Sequence, residues 1–418
     1  MRKQTLLWGL AILFSLGAKL VYCQDDFWTE ETPMLIARNM LSTGEVDGTI
    51  YAIGGALSPS QSTSTIEAYD TTTHAWSFRS NLPEALCGSA VCAINDRIYI
   101  LGGALSVFGP AVSSVYEYTP SVDSFAYKKN IPEPVVFAAA SAVNGKIYLI
   151  GGAPTGWDTA FTSVYEYNPE TDEWISKAKM STARFCHTAT VVDGKIYVFG
   201  GAYDNSLTAL HKAEVYDPIA DEWNTLLPMS FPRFGHAAGT VNGHIFIFGG
   251  GANNLIFNYV EEYNPVNGIW TLKSNMPTAR WCLSAITSGN RIYAIGGADS
   301  LNQGSAAVEV YNPPVDPSDI ITGENPDSPS DYVLYQNYPN PFNPTTSIQY
   351  AVSSMQFVSL KVYDILGNEI ATLVDEYKPA GVYNVEFSIN NEQLSSGIYF
   401  YKLTAGSYTA VKKMVLMK

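Results

Sequence analysis

Residues 194–201 read GKIYVFGG, and the phrase returns five more times with small changes. The copies are GTIYAIGG at 48–55, DRIYILGG at 96–103, GKIYLIGG at 145–152, GHIFIFGG at 243–250 and NRIYAIGG at 290–297. Each opens on a residue suited to a tight hairpin turn, continues as a short apolar strand and stops at a glycine pair. The second glycines fall 48, 49, 49, 49 and 47 residues apart, a period that accommodates several strands per unit. Such a repeat predicts a β-propeller.

Each unit repeats an inner grammar. A tyrosine follows the second glycine by 13 to 15 residues, at Tyr69, Tyr118, Tyr167, Tyr216, Tyr263 and Tyr311. Seven residues further on, five units carry an aromatic: Trp76, Phe125, Trp174, Trp223 and Trp270. The sixth unit has Ser318 at that place. The missing aromatic is found at the other end of the chain, where Trp28 precedes Met34 by 6 and Arg38 by 10, the spacing seen after Trp174, Trp223 and Trp270. The N-terminal segment is therefore expected to supply the outer strand of the last blade and to remove the open edges of the ring.

Apolar strand, double glycine and spaced Tyr and Trp closely resemble the kelch repeat. The resemblance implies a six-bladed kelch propeller over residues 24–315, with Phe125 and the borrowed strand at Trp28 as departures from the pattern. Kelch propellers include both enzymes and binding scaffolds, so the fold does not choose between them.

The ends of the chain read differently. Arg2 and Lys3 precede an apolar run from Leu6 to Leu16, too short to span a bilayer and suited to a secretory leader over residues 1–23. The alternative is a lipid anchor on Cys23, although Tyr22 is bulky for that role. Residues 316–331, rich in Pro, Asp and Ser, read as a linker. Beyond it, residues 332–418 hold strand-like runs separated by turn signals, the pattern of a small antiparallel β-sandwich. NYPNPFNPTTSIQY (337–350), YDILGNEI (363–370), LSSGIYFYKL (394–403) and the basic KKMVLMK (412–418) resemble, in order, the type A sorting domain of the type IX secretion system. That resemblance implies a Gram-negative bacterium, passage through the periplasm, the type IX machinery as partner, and release or attachment at the outer-membrane surface. The alternative is an adhesion domain that stays attached.

Composition narrows the classes of partner. Residues 24–330 hold 15 basic and 32 acidic groups, and that balance of −17 repels phosphate backbones, so no nucleic-acid partner is expected. Past Cys23 remain Cys87, Cys92, Cys186 and Cys282, without a CxxC, so buried thiols or at most one bridge are expected and no structural zinc.

The long, dissimilar loops after the glycine pairs emerge on one face, the expected binding face. Arg38, Arg184, Arg233 and Arg280 enter the innermost strands beside it, with Leu86 and Val135 in the other two units; Phe185, Phe234 and Trp281 follow three of the arginines. Cations beside aromatics suit a carboxylate-bearing sugar or an acidic peptide, while the alternative use is to tie a loop down. Trp157, Tyr203 and Asn253, with Asp158, Asp204, Asn205 and Asn254, complete the candidates for a glycan or protein ligand. His187 and His236 share a repeat position, as do Cys186 and Cys282, but lack further converging ligands. No catalytic set, metal or cofactor is read from the chain. The expected function is that of an exported binding protein, with a sialic-acid mutarotase-like carbohydrate enzyme or a structural adhesion component as alternatives.

Overall fold

The computed structural model describes residues 26–155, 159–314 and, with short gaps, 332–416. They form two compact units that divide between Pro314 and Val315.

The first unit is a ring of six four-stranded antiparallel sheets. Blade 1 holds Ser42–Val46, Thr49–Ile53, Ile66–Asp70 and Ala75–Phe78, and blades 2 to 5 follow the same order outward from the axis. Blade 6 takes its first three strands from Ser284–Ser288, Arg291–Ile295 and Val308–Asn312 and its outer strand from Phe27–Glu30. Trp28 faces Tyr311 in that last ladder, as Trp76 faces Tyr69 and Trp223 faces Tyr216. The sequence expectation of closure by the N-terminus is met at the level of register.

Two hoops of backbone hydrogen bonds join the blades. In the first, the second glycine of each pair donates its N–H to the next blade: Gly55 to Leu86, Gly103 to Val135, Gly152 to Arg184, Gly201 to Arg233, Gly250 to Arg280 and Gly297 to Arg38, at 2.8 to 3.1 Å. The first glycine of each pair makes this approach possible. A Cβ at Gly54, Gly151 or Gly249 would stand 2.4, 2.5 and 2.5 Å from that same carbonyl, and all three glycines have positive φ. The repeated glycine pair is thus a joint between blades.

The second hoop lies at the axis. Gly88 donates to Met40, Phe137 to Gly88, Cys186 to Phe137, Gly235 to Cys186, Cys282 to Gly235, and Met40 back to Cys282, at 2.6 to 3.0 Å. Between the blades, buried tyrosines pair with the aromatic seven residues on; Tyr167 and Trp174 have centroids 4.8 Å apart. The indole N–H groups of Trp28, Trp76, Trp174, Trp223 and Trp270 each donate to a carbonyl at 2.8 to 3.0 Å. Aromatic area plus one satisfied polar tip ties each repeat to its neighbour.

The second unit is a sandwich of a three-stranded and a four-stranded antiparallel sheet around a core that includes Tyr350, Leu360, Tyr401 and Met414. Its sequence words have structural uses. Buried Asn337 donates its side-chain amide to Thr346 at 2.9 Å and its backbone N–H to the Tyr401 hydroxyl at 2.7 Å, and Phe342 is buried. Asp364 organises the turn of YDILGNEI by accepting the N–H groups of Leu366 and Asn368. Lys412 and Lys413 lie on the edge strand Tyr408–Leu416.

Candidate functional site

The four arginines converge on carboxylates of their own blades. Arg38 pairs with Glu67 at 3.0 Å, Arg233 with Glu261 at 2.5 Å, Arg280 with Glu309 at 2.6 Å, and Arg184 with Glu214. Their other guanidinium nitrogen reaches strand-end carbonyls, as Arg233 does to Gly249 and Tyr259, both at 3.1 Å. All four side chains are 0 to 2% exposed. Burial lowers the pKa of each guanidinium, and the glutamate opposite acts against that fall. Of the two uses expected of these cations, ligand contact and tying the structure down, the internal ion pairs accord with the second. The physical reason is local: a glutamate two residues before the repeat tyrosine lies within reach inside the blade.

The two blades without arginine show the same logic inverted. Where Leu86 and Val135 replace arginine, Tyr116 and Tyr165 replace the glutamate two residues before Tyr118 and Tyr167. The carboxylate then moves to Glu84 and Glu133, and the Tyr165 hydroxyl donates to Glu133 at 3.0 Å. Arginine and glutamate are thus exchanged as a pair for an apolar residue and a tyrosine.

The other candidates divide by exposure. Phe185 is fully buried in an apolar cluster under the loop face, among Ala153, Ala202 and Phe137, and offers no surface to a ligand. His187 and His236 are buried; burial first, then the nearby arginines, lowers both imidazoles, and His236 is pushed down to about 3. Among the described residues, no group of three or more His, Cys, Asp or Glu is arranged to hold a metal ion. Trp157 and Asp158 lie outside the described residues. Tyr203 is 42% exposed, and its carbonyl accepts the Ala160 N–H at 3.1 Å.

Four candidates do come together, Asn254 beside the three named next. Phe234, Trp281 and Asn253 line a cavity of about 550 Å³ on the loop face, formed by the loops of blades 4, 5 and 6. Trp281 stands edge-on to Phe234, centroids 5.7 Å apart and planes at 89°. Bonded to Phe234 through the backbone of Gly251, Gly251–Ala252 and Leu255–Ile256 form a small hairpin whose two turn residues, Asn253 and Asn254, have φ of 52° and 61°. That is the Asn-rich turn a two-residue hairpin demands, and it projects amides at the rim. Ser206, Thr208, Ser300 and Asn302 add hydroxyl and amide groups that sequence reading did not single out. Among the described residues the lining contains no Lys, Arg, His, Asp or Glu, although the Ser206 hydroxyl donates to the Asp204 carboxylate at 2.6 Å. Aromatic rings in the same lining as neutral hydrogen-bonding groups suit the apolar face and hydroxyls of an uncharged ring.

A second cavity, about 580 Å³, runs along the axis between the inner strands of all six blades. Small and hydroxyl side chains line it, including Thr43 with Ser284 at 2.8 Å and Thr190 with Thr240 at 2.6 Å; Glu45 also lines it. The axial hoop crosses its loop-face end, where Met40, Phe137, Cys186 and Cys282 surround a space of about 100 Å³.

Comparison with known proteins accords with this architecture. Residues 88–297 match the KLHDC2/KLHL20/DRC7 Kelch-repeats domain, residues 37–83 and 280–316 match the Kelch motif, and residues 336–417 match the secretion system C-terminal sorting domain. Kelch-like protein 25 of Xenopus laevis is 30% identical over 96 residues, covering 21% of this chain and 16% of that protein. Kelch repeat and BTB domain-containing protein 2 of Homo sapiens is 38% identical over 79 residues, 19% of this chain and 13% of that protein. An F-box/kelch-repeat protein of Arabidopsis thaliana is 32% identical over 76 residues, 18% of this chain and 20% of that protein. The chain thus spans a fifth or less of the length of these relatives. The solved structure of YjhT superposes with a TM-score of 0.58 at 15% identity, over 66% of this chain and 95% of that one, a likeness of fold. The type IX sorting domain marks the protein for secretion or display at the cell surface. Because the Kelch-repeats match alone extends over half of the 418 residues, the chain belongs to the kelch-repeat family.

Proposed function

We propose that this is an exported binding protein whose propeller holds an uncharged glycan in the loop-face cavity of blades 4 to 6. The observation that carries the reading is the presence of the Phe234–Trp281 pair in one lining with Asn253, Asn302, Ser206, Thr208 and Ser300 and no charged group among the described lining residues. An acidic sugar would call on the four arginines, and their guanidinium groups are committed to glutamates. The site is tied into the backbone of the ring, with Phe234 and Gly251 exchanging hydrogen bonds at 3.0 and 3.1 Å and Trp281 and Ala298 at 2.8 and 3.1 Å, so it is largely preformed. The export route is that of a Gram-negative cell: a leader to the periplasm, then passage of the outer membrane directed by the sorting domain.

A protein ligand is the second reading, favoured by exposed Leu57, Leu105, Phe108, Leu255 and Leu301 in the loops around the face. A glycan array probed with the full-length protein separates the two. Binding to neutral oligosaccharides that falls at least tenfold in Trp281→Ala and in Asn302→Ala, with melting temperature retained, supports the glycan site. Neutral-glycan binding unchanged in both variants, or binding of acidic glycans alone, refutes it. Silence across the array with capture of a surface protein that depends on Phe108 and Leu301 favours the second reading.

A further inference from the structure

We propose that Cys186 and Cys282 form a reversible disulfide over Gly235 at the loop-face end of the axial channel. The two cysteines occupy the same repeat position in blades 4 and 6, with φ of 49° and 50°, and Gly235 fills that position in the blade between them. The axial hoop holds the three in a row: Gly235 donates to the Cys186 carbonyl at 2.8 Å, and Cys282 donates to the Gly235 carbonyl at 2.6 Å. Because blade 5 has no side chain here, the thiols of its two neighbours meet above it. A Cβ on Gly235 would stand 3.1 Å from the Cys282 sulfur, and the Cys186 thiol lies near enough to that of Cys282 for the two to interact. Both cysteines line the small cavity that ends the channel. Glycine in blade 5 is therefore what lets two blades that do not adjoin share a sulfur contact.

The compartment suits the reaction. An exported protein meets compartments in which disulfides persist. The incoming oxidant is a disulfide, either of a small thiol compound or of a thiol–disulfide oxidoreductase. Cys186 is the more exposed of the pair, so it attacks first, through the small thiolate fraction that burial leaves it, giving a mixed disulfide with one sulfur of the oxidant and one free thiol. The Cys282 sulfur then attacks the Cys186 sulfur, the Cys186–Cys282 bond forms, and the second thiol leaves. Two electrons pass from the cysteine pair to the oxidant, and the two protons end on the thiols released. The bridge joins blade 4 directly to blade 6 and closes the channel at this end.

Peptide mapping of the full-length protein tests the assignment. The native protein is equilibrated with oxidised glutathione, its remaining thiols are alkylated under denaturing conditions, and trypsin is added. Cleavage after Arg184, Lys195, Arg280 and Arg291 places the two cysteines on separate peptides, 185–195 and 281–291, while Cys87 and Cys92 share a third. The expected product is a linked pair of the first two, dissolved by dithiothreitol, retained in Cys87→Ser and absent in Cys186→Ser. Recovery of both peptides separately and alkylated overturns the proposal, as does a link from Cys282 to the Cys87 peptide.

Discussion

Replacing Arg184 by leucine tests whether the arginines serve the fold. The substitution leaves Glu214 buried, still accepting from Ser181 but facing no cation. Removing one partner of a buried ion pair costs about 3 to 5 kcal/mol, because the remaining charge is uncompensated. At roughly 2 °C per kcal/mol for a domain of this size, the melting temperature falls by about 6 to 10 °C. Blade 3 supplies the compensation, with Val135, Tyr165 and Glu133 in place of Arg184, Glu214 and Thr182. The triple variant Arg184→Leu, Glu214→Tyr, Thr182→Glu should recover most of the loss, since a well-packed replacement of a buried pair is often neutral. Each guanidinium also leaves its Nε–H without an acceptor among the described residues, which limits what the ion pair contributes in the first place. Chemical denaturation of the single, double and triple variants gives the coupling directly. A loss below about 1 kcal/mol in Arg184→Leu, or a triple variant no more stable than the single one, refutes the reasoning.

Two further expectations concern stability. Phe125 occupies the one aromatic repeat position without an indole, two residues after Asp123, whose carboxylate accepts the Ser80 N–H; Phe125→Trp should gain the missing hydrogen bond to a carbonyl of that stretch and stabilise by about 0.5 to 1.5 kcal/mol, read by denaturant titration. Burial holds His236 neutral down to about pH 3, whereas an unfolded histidine takes up its proton near pH 6.5. The unfolded state therefore binds more protons in between, so stability is full above pH 6.5 and falls by about 2 kcal/mol per such group from pH 7 to 5. His236→Gln should flatten that slope, and an unchanged slope would contradict it.

Much of this was legible from the chain. Period, glycine pairs and the displaced Trp28 reveal the blade count and the closing strand, because backbone joints between blades tolerate so little variation. The arginines were legible as a set with a structural use as one reading, but their glutamate partners were not identified. The clue was present in Glu67, Glu214, Glu261 and Glu309, each two residues before a repeat tyrosine, and in Tyr116 and Tyr165 where arginine is missing. The cavity of blades 4 to 6 was not legible, since Ser300, Asn302 and Thr208 sit in loops without repeat grammar and meet only through the ring geometry. The contact of Cys186 with Cys282 is of the same kind: the shared repeat position is visible in sequence, but the gap left by Gly235 between them is spatial.

The closing strand sets an order on folding. Blades 1 to 5 each assemble from one continuous stretch of chain, whereas blade 6 waits for contacts such as Tyr311 with Asp26, separated by 285 residues. Closing that span costs only about 1.6 kcal/mol more in chain entropy than closing one repeat length, so the penalty is mainly one of search time. Until it is met, the outer edge of Val308–Asn312 stands open, with Tyr311 unpaired against Trp28. A strand Phe27–Glu30 from a second molecule fits that edge as well as the chain's own, so crowding during synthesis favours exchanged dimers, and dilution favours the closed ring.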